Sequence, residues 1–252
     1  MRRLAALALV LPLAACGGDD EERTLTVLAA ASLSETFTEL AAVFEEEHPG
    51  VEVEVVLGSS TTLAEQAVDG APGDVLATAD ETSMALAEDG NALAQAADAF
   101  ASNRITLVTP PDNPAGLQSW ADLDDPGVDY VVCAATAPCG AVAAAALTEE
   151  GVTAAPASEE VDVKAVLARV VQGEADAGLV YRTDAVAVDD DVEQIPVTDE
   201  DASAYATTYF IAPLAGDDAE RADLAAEFVT LVRSDEALEI FTEAGFGGIV
   251  RE

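Results

Sequence analysis

The sequence is poor in positive charge, and that shortage excludes one broad class of partner. Of its 252 residues, 10 are Lys or Arg and 49 are Asp or Glu, so the formal net charge at pH 7 is −39. Lysine occurs once, at Lys164, and the basic residues are not gathered anywhere along the chain. Because binding to phosphate backbones requires clustered Lys and Arg, we expect no nucleic-acid partner. The acidic residues are spread throughout, which is typical of a solvated surface.

The sequence also lacks the usual signatures of a hydrolase or a metal centre. Its one histidine, His48, follows three glutamates and precedes Pro49, and no G-x-S-x-G segment occurs. Triad chemistry is therefore disfavoured, although a secreted α/β hydrolase and a structural or adhesive surface lipoprotein remain alternatives to a binding protein. With one histidine and three cysteines, we expect no direct metal ligands and no cofactor.

One apolar run, residues 4–15, follows Arg2 and Arg3 and ends at Cys16. It is shorter than the roughly 20 residues that a membrane-spanning helix needs, and its layout is that of a secretory signal. Because the residues Leu-Ala-Ala-Cys at its end resemble a lipobox, we predict a lipoprotein signal peptide over 1–15, a lipidated Cys16 and a tether over 16–23. The protein is then exported and anchored to the outer face of the cytoplasmic membrane. A plain signal peptide cut near residue 15 is the alternative.

The remaining chain alternates between strand and helix patterns. Short β-branched, apolar runs at 24–30, 51–57, 129–134 and 177–181 predict strands, and most lead through a turn into a segment with helical spacing. Strands that alternate with helices indicate a parallel, doubly wound α/β sheet. Proline-rich breaks after residue 109 and the order of the segments predict two lobes, the first formed by 24–103 plus 211–252 and the second by 104–210.

Four predicted helix starts offer hydrogen-bond donors. They lie at Ser32, at Ser59 to Thr61, at Pro138 to Gly140 and at Asp162-Val163. The first amides of a helix have no partner within it and its dipole favours negative charge there, so each start is suited to an anion. The alternative for each Ser or Thr is an ordinary helix cap that satisfies those amides internally. Ligands of open α/β sheets lie beyond the carboxyl ends of the strands, which favours several of these starts meeting at one site.

The same segments carry a family resemblance that covers nearly the whole mature chain. The matching segments are residues 27–33 (VLAAASL), 58–64 (GSSTTLA), 70–75 (GAPGDV), 138–140 (PCG), 162–164 (DVK) and 178–185 (GLVYRTDA). In order and spacing the chain resembles the molybdate-binding proteins of ABC importers. The resemblance implies a type II periplasmic-binding-protein fold, two doubly wound α/β lobes joined by a hinge. It further implies that a monomer closes over molybdate or tungstate and presents it to a membrane permease.

The resemblance also assigns the ligand-binding roles. Its motifs place hydroxyl and amide donors at Ser32 and Ser60, backbone amide donors at Cys139 and Val163, and a phenol donor at Tyr181, with Ser59 and Thr61 as neighbours. A fully ionised dianion has no proton to offer, so a site of neutral donors suits it physically. Sulfate and other tetrahedral oxyanions fit the same donor set. Ferric-ion binding is disfavoured, because Tyr205 and Tyr209 lie in an apolar strand.

Two cysteines remain once Cys16 is set aside. Cys133 and Cys139 are six residues apart around a turn in a protein that is expected to be exported, where disulfides form and persist. We predict that they pair, which would make one wall of the anion site rigid.

Overall fold

The computed structural model describes residues 23–197 and 203–248. The predicted signal peptide, Cys16 and nearly all of the tether lie outside these residues. The strands are β1 Arg23–Ala30, β2 Val51–Gly58, β3 Val75–Thr78, β4 Asp98–Thr109, β5 Tyr130–Cys133, β6 Ser158–Glu160, β7 Ala177–Tyr181, β8 Glu193–Ile195 and β9 Ala206–Pro213. The α-helices are α1 Ser34–Glu47, α2 Ser60–Val68, α3 Glu81–Asp89, α4 Pro138–Glu150, α5 Val163–Val171, α6 Arg182–Ala187, α7 Ala219–Val232 and α8 Asp235–Glu243. Short 3-10 turns cover Ala31–Leu33, Trp120–Asp124, Asp189–Asp191 and Ser203–Tyr205.

The strands form a continuous sheet in the order β2-β1-β3-β9-β4-β7-β5-β6, with β8 also paired to β4. β1 runs parallel to β2 and β3, and β5 runs parallel to β6 and β7. In contrast, β9 is antiparallel to β3 and β4, and β4 is antiparallel to β7 and β8. The sheet is therefore mixed and not wholly parallel as the alternation predicted. The antiparallel strands β4 and β9 connect the two halves directly, so those pairings need no helical crossover.

β4 belongs to both halves of the sheet. Its residues 98–104 pair with β9, and its residues 105–108 pair with β7. The buried apolar residues separate at the same point, because Ala101 packs with one cluster and Ile105 with another. On the return, Tyr205 packs in the second cluster and Tyr209 in the first. We propose lobe boundaries after residue 104 and after residue 205, which places the second crossing a few residues before the predicted position near 210.

Each lobe buries its own apolar core. In lobe 1, one face of the sheet packs on α1, whose Phe37, Leu40 and Phe44 recur at helical spacing, and on α7 and α8. The opposite face packs on α2 and α3 through Leu63 and Met84. In lobe 2, a further cluster joins the sheet to α4 and α5. The lobes are thus the two doubly wound α/β units that the sequence predicts.

Some short elements differ from the sequence prediction. The strands β6 and β8 have three residues each, and α6 has six, so none is long enough to show a period. The first half of β4 was also not predicted. Within residues 23–197 and 203–248, no helix combines the length and the apolar character that crossing a membrane requires.

Candidate functional site

A cleft between the lobes brings the predicted donors together. The cavity there has a volume of about 20 Å³, and lobe 1 contributes Ser32 and Ser60 to its lining. Lobe 2 contributes Cys139, Val163 and Tyr181. Of the two predicted neighbours, Ser59 also lines the cleft, whereas Thr61 is not among the lining residues. All five donor positions therefore face one small space, although they are distributed over 150 residues of sequence.

The helices that open onto the cleft lack side-chain caps at three starts. The residues that precede the first turns, Ala30, Ser59 and Ala137, make no capping hydrogen bond. The first amides of these turns are therefore not satisfied by a cap. The alternative that the serines serve as ordinary caps does not apply, since neither Ser59 nor Ser60 caps α2 and Ser32 lies inside its turn.

The start of α5 is arranged differently. Asp162 caps this helix by accepting from the amide of Ala165 at 2.9 Å. Asp162 also borders the cleft, but its Oδ1 is used within the helix. Val163 is the first residue of α5, so its amide has no partner in the helix. The capping bond thus fixes the turn and leaves the Val163 amide to the cleft.

Each of the two serine hydroxyls has a hydrogen-bond partner inside the protein. Ser60 Oγ accepts from the amide of Ala79 at 2.9 Å, so its own proton is not used in that bond. Ser32 Oγ lies 2.7 Å from the hydroxyl oxygen of Tyr209. Both serines are buried, and the Ser60 hydroxyl, which has accepted one hydrogen bond, keeps a proton to donate.

Tyr181 supplies a third hydroxyl. Its side chain is 1% exposed, and its hydroxyl has no hydrogen-bond partner among the described residues. Burial, together with the nearby Tyr209, Asp80 and Asp184, raises the pKa of the Tyr181 phenol well above its ordinary value. The phenol therefore stays protonated at neutral pH. An unpaired buried hydroxyl is costly, so this group indicates a ligand.

The lone lysine lies directly behind the site. Lys164 Nζ is 3.0 Å from Asp184 Oδ1 in an ion pair, and it donates to both carboxylate oxygens of Glu35 at 2.8 and 3.0 Å. Burial raises the pKa of Asp184 to about 6, against the opposing effect of Lys164. Burial lowers the pKa of Lys164, but Asp184 and Glu35 outweigh that effect and raise it overall. The ammonium group of Lys164, the residue after Val163, is therefore held between the carboxyl groups of Glu35 and Asp184.

Two hydrogen-bonded contacts between the lobes lie next to residues that line the cleft, since Lys164 follows Val163 and Thr61 follows Ser60. Glu35 belongs to α1 of lobe 1, and Lys164 belongs to α5 of lobe 2. Thr61, at the start of α2, donates from Oγ1 to the carbonyl oxygen of Thr136 at 2.7 Å. The structure therefore has the lobes closed on each other.

A disulfide forms the wall beneath Cys139. Cys133, at the end of β5, is bonded to Cys139, the second residue of α4, with 5.7 Å between their Cα atoms. The next residue, Gly140, packs so closely that an added Cβ would lie 2.0 Å from the carbonyl oxygen of Ala134. The bond and the close packing both fix where the Cys139 amide points.

The structure adds two buried residues that sequence reasoning missed. Tyr209 contacts Ser32, and Asn103 Nδ2 lies 3.3 Å from the Tyr209 hydroxyl. Both side chains come from interior strands, where an apolar pattern gives no sign of a polar role. Among the residues that the structure describes, no group of three His, Cys, Asp or Glu could hold a metal ion.

Sequence comparisons agree with this geometry. The family model described as bacterial extracellular solute-binding protein matches residues 25–247. The molybdate-binding protein ModA of Mycobacterium tuberculosis is 34% identical over 96% of this chain and 95% of its own length. A putative ABC transporter substrate-binding lipoprotein of Bacillus subtilis, YvgL, is 30% identical over 96% of each chain.

Solved structures share the fold. The periplasmic molybdate-binding protein of Azotobacter vinelandii superposes with a TM-score of 0.71 at 23% identity, covering 90% of this chain and all of that one. The sulfate-binding protein SubI of Mycobacterium tuberculosis superposes with a TM-score of 0.77 at 17% identity, covering 90% and 88%. At these identities the likeness concerns the fold alone, and it confirms the type II periplasmic-binding-protein architecture.

Proposed function

The chain belongs to the bacterial extracellular solute-binding proteins, and from that premise we propose that it captures molybdate, or its near-equivalent tungstate, for the permease of an ABC importer. The observation that carries the proposal is the buried, unpaired Tyr181 hydroxyl, which faces uncapped helix starts in a closed cleft. The ligand would be the missing acceptor for all of these donors.

The donor set favours an anion without protons. Ser32, Ser60 and Tyr181 supply hydroxyls, and the first turns of α4 and α5 supply amides. A fully ionised dianion can accept from each of them, whereas an anion that keeps a proton needs an acceptor as well. The relatives that are named molybdate-binding proteins support the choice of molybdate as the oxyanion. Binding, with no chemical turnover of the ligand, is the whole proposed activity.

Sulfate is the second candidate, because the SubI fold matches over nearly the same length. The two anions carry the same charge and accept from the same kinds of donor, so the donors alone do not separate them. They differ in size, and selectivity would therefore depend on how closely the lobes shut.

Isothermal titration calorimetry with molybdate, tungstate, sulfate and hydrogen phosphate tests the proposal. We expect dissociation constants of about 1 μM or tighter for molybdate and tungstate, corresponding to roughly 8 kcal/mol, and weaker binding of sulfate and hydrogen phosphate. Tight sulfate binding with weak molybdate binding would show that the ligand is sulfate and would leave the proposed site unchanged. The absence of heat with all four anions would refute the function.

We further propose that Cys16 carries the lipid anchor. The supporting observations are the lipobox-like segment and the similarity to a relative named as a lipoprotein. Labelling with a radioactive fatty acid should mark the wild type and leave Cys16→Ser unlabelled, with the variant released into the medium. A plain signal peptide predicts instead that neither protein is labelled and that both are released.

A further inference from the structure

The hydroxyl of Ser32 has a partner behind it that the donor set does not explain. Tyr209 is fully buried on β9, and its hydroxyl oxygen lies 2.7 Å from Ser32 Oγ. Among the described residues, that oxygen has one other hydrogen-bond partner, Asn103 Nδ2 at 3.3 Å. The question is which atom of the pair Tyr209 and Ser32 donates, because the answer decides whether Ser32 keeps a proton for the ligand.

The side-chain amide of Asn103 has its orientation fixed. Its Oδ1 accepts from the backbone amide of Arg104 at 2.9 Å, and its Nδ2 donates to Thr183 Oγ1 at 2.9 Å. A flipped amide would direct Nδ2 at the Arg104 N–H, which would set one donor against another. Nδ2 therefore faces Tyr209, and since an amide nitrogen can only donate, the Tyr209 oxygen accepts.

The proton of the Tyr209 hydroxyl then has one possible acceptor among the described residues, which is Ser32 Oγ. The Tyr209 phenol keeps its proton, because burial raises its pKa above the ordinary value. If Ser32 donated to Tyr209, the phenol proton would be buried with no acceptor among the described residues. If Tyr209 donates to Ser32, the one unused proton is instead that of Ser32, which lines the cleft. The Ser32 proton is then free for the cleft.

We infer that Asn103 and Tyr209 are positioning residues that make Ser32 a donor toward the bound oxyanion. The inference rests on the proposed function and adds a directed chain of hydrogen bonds, from Asn103 to Tyr209 to Ser32 to the ligand. Successive bonds of this kind polarise one another in a dry interior, so each donor strengthens the next. Asn103 also contacts Thr183 of lobe 2 from the strand shared by both lobes, which links the donor chain to the lobe boundary.

A double-mutant cycle tests the inference. We expect Tyr209→Phe to weaken binding of the tightest oxyanion about 3- to 10-fold in the wild type. In the Ser32→Ala background the same change should alter affinity by less than about 2-fold, because the chain of hydrogen bonds no longer has the Ser32 hydroxyl that donates to the ligand. Equal losses in both backgrounds would mean that Tyr209 only packs, and would overturn the inference.

Tyr205→Phe is the matched control. Tyr205 is as deeply buried as Tyr209 and donates to Glu150, away from the cleft. The control variant should bind like the wild type in both backgrounds. A loss of oxyanion affinity equal to that of Tyr209→Phe would count against the directed chain of hydrogen bonds.

Nuclear magnetic resonance on the ligand-free wild type supplies a readout that is independent of ligand and variant. The chain has four tyrosines, so ¹³C-labelled ring resonances can be assigned with Phe variants. We expect a slowly exchanging Tyr209 hydroxyl proton with a nuclear Overhauser effect to the β-protons of Ser32. A hydroxyl proton that exchanges as fast as an exposed one would overturn the inference, whether or not molybdate is the ligand. Failure of every oxyanion to bind would refute the proposed function alone.

Discussion

At the scale of single residues, the site consists of donors that the protein leaves unused. Among the described residues the Tyr181 hydroxyl has no hydrogen-bond partner, and Ser60 has accepted one bond and keeps its proton. We expect Tyr181→Phe and Ser60→Ala each to weaken oxyanion binding by about 1 to 3 kcal/mol, as for a lost bond to a charged group. Calorimetry measures the change, and Tyr205→Phe again serves as the control. Unchanged affinity in both variants would show that the ligand lies elsewhere.

The buried carboxyl of Asp184 predicts an unusual dependence of stability on pH. Its pKa rises from 3.8 to about 6 in the folded protein, so between these values the folded state holds a proton that the unfolded state releases. The stabilisation is complete below the unfolded pKa and is lost as pH rises through about 6. Relative to Asp184→Asn, the wild type should lose up to roughly 3 kcal/mol of unfolding free energy over this window. Urea titrations of both proteins from about pH 3 to 7.5 measure the difference, and parallel profiles would contradict the assignment.

The residues that line the cleft were predictable where a motif marks them. Ser32, Ser60, Cys139, Val163 and Tyr181 all stand at strand-to-helix junctions, and the structure places all five on one cleft. The positioning residues Asn103 and Tyr209 were not predictable, because their polar atoms meet only after distant strands pair. A tyrosine in an apolar strand looks the same in sequence whether its hydroxyl has a role or none.

At the scale of elements, helix starts and their supports form the proposed anion site. The disulfide joins the end of β5 to the first turn of α4, so it fixes one of those starts. Replacing both Cys133 and Cys139 by Ser should lower the unfolding free energy by about 2 kcal/mol, as expected for a short loop. The Cys139 amide remains in the variant, so its oxyanion affinity should fall severalfold without being lost.

Mass spectrometry of protein purified without reductant provides the control for that experiment. The wild type should show no free thiol at either position. Free thiols at both would remove the basis for the comparison and contradict the pairing. Reduced wild type should then behave like the double variant in both stability and affinity.

Long periodic elements were the easiest to predict. The predicted start of α5 at Asp162-Val163 and the predicted bounds of β7 are both observed, because a capping residue precedes the helix and a charged residue follows the strand. The three-residue strands β6 and β8 obtain their extended form from pairing with a neighbour, which no local pattern encodes. The antiparallel insertion of β4 and β9 depends on how the lobes join and not on the sequence of either strand.

At the scale of the whole molecule, closure is held by a few contacts between lobes. The hydroxyl of Thr61 reaches the Thr136 carbonyl of the other lobe. Thr61→Val keeps the shape of the side chain and removes this bond, together with the 3.1 Å bond between Thr61 Oγ1 and Ser83 Oγ inside lobe 1, so the closed form should be less populated and affinity about 3- to 10-fold weaker. Thr148→Val is the control, since Thr148 bonds only within α4. Small-angle scattering should show a larger mean radius of gyration for ligand-free Thr61→Val than for the control. Equal radii would contradict the proposal that the Thr61 hydroxyl helps to hold the lobes closed.

The net charge acts on ligand capture as a whole. At −39 the protein repels a dianion over a distance set by the ionic strength, about 30 Å at 0.01 M and about 8 Å at 0.15 M. We expect the association rate constant to rise about 3-fold or more between these salt concentrations. Stopped-flow fluorescence measures it, and a rate that falls with salt would show that a local positive field dominates the approach.

The strand β4 determines what kind of motion can open the cleft. Since one part of it is hydrogen-bonded into each lobe's sheet, opening must twist a hydrogen-bonded strand and cannot simply rotate the lobes about a flexible linker. The resistance of such a strand to twisting grows with the angle of rotation between the lobes. Ligand release would then draw on elastic energy stored at the boundary, and the opening angle would be limited by the ladder of backbone bonds that has to survive every cycle.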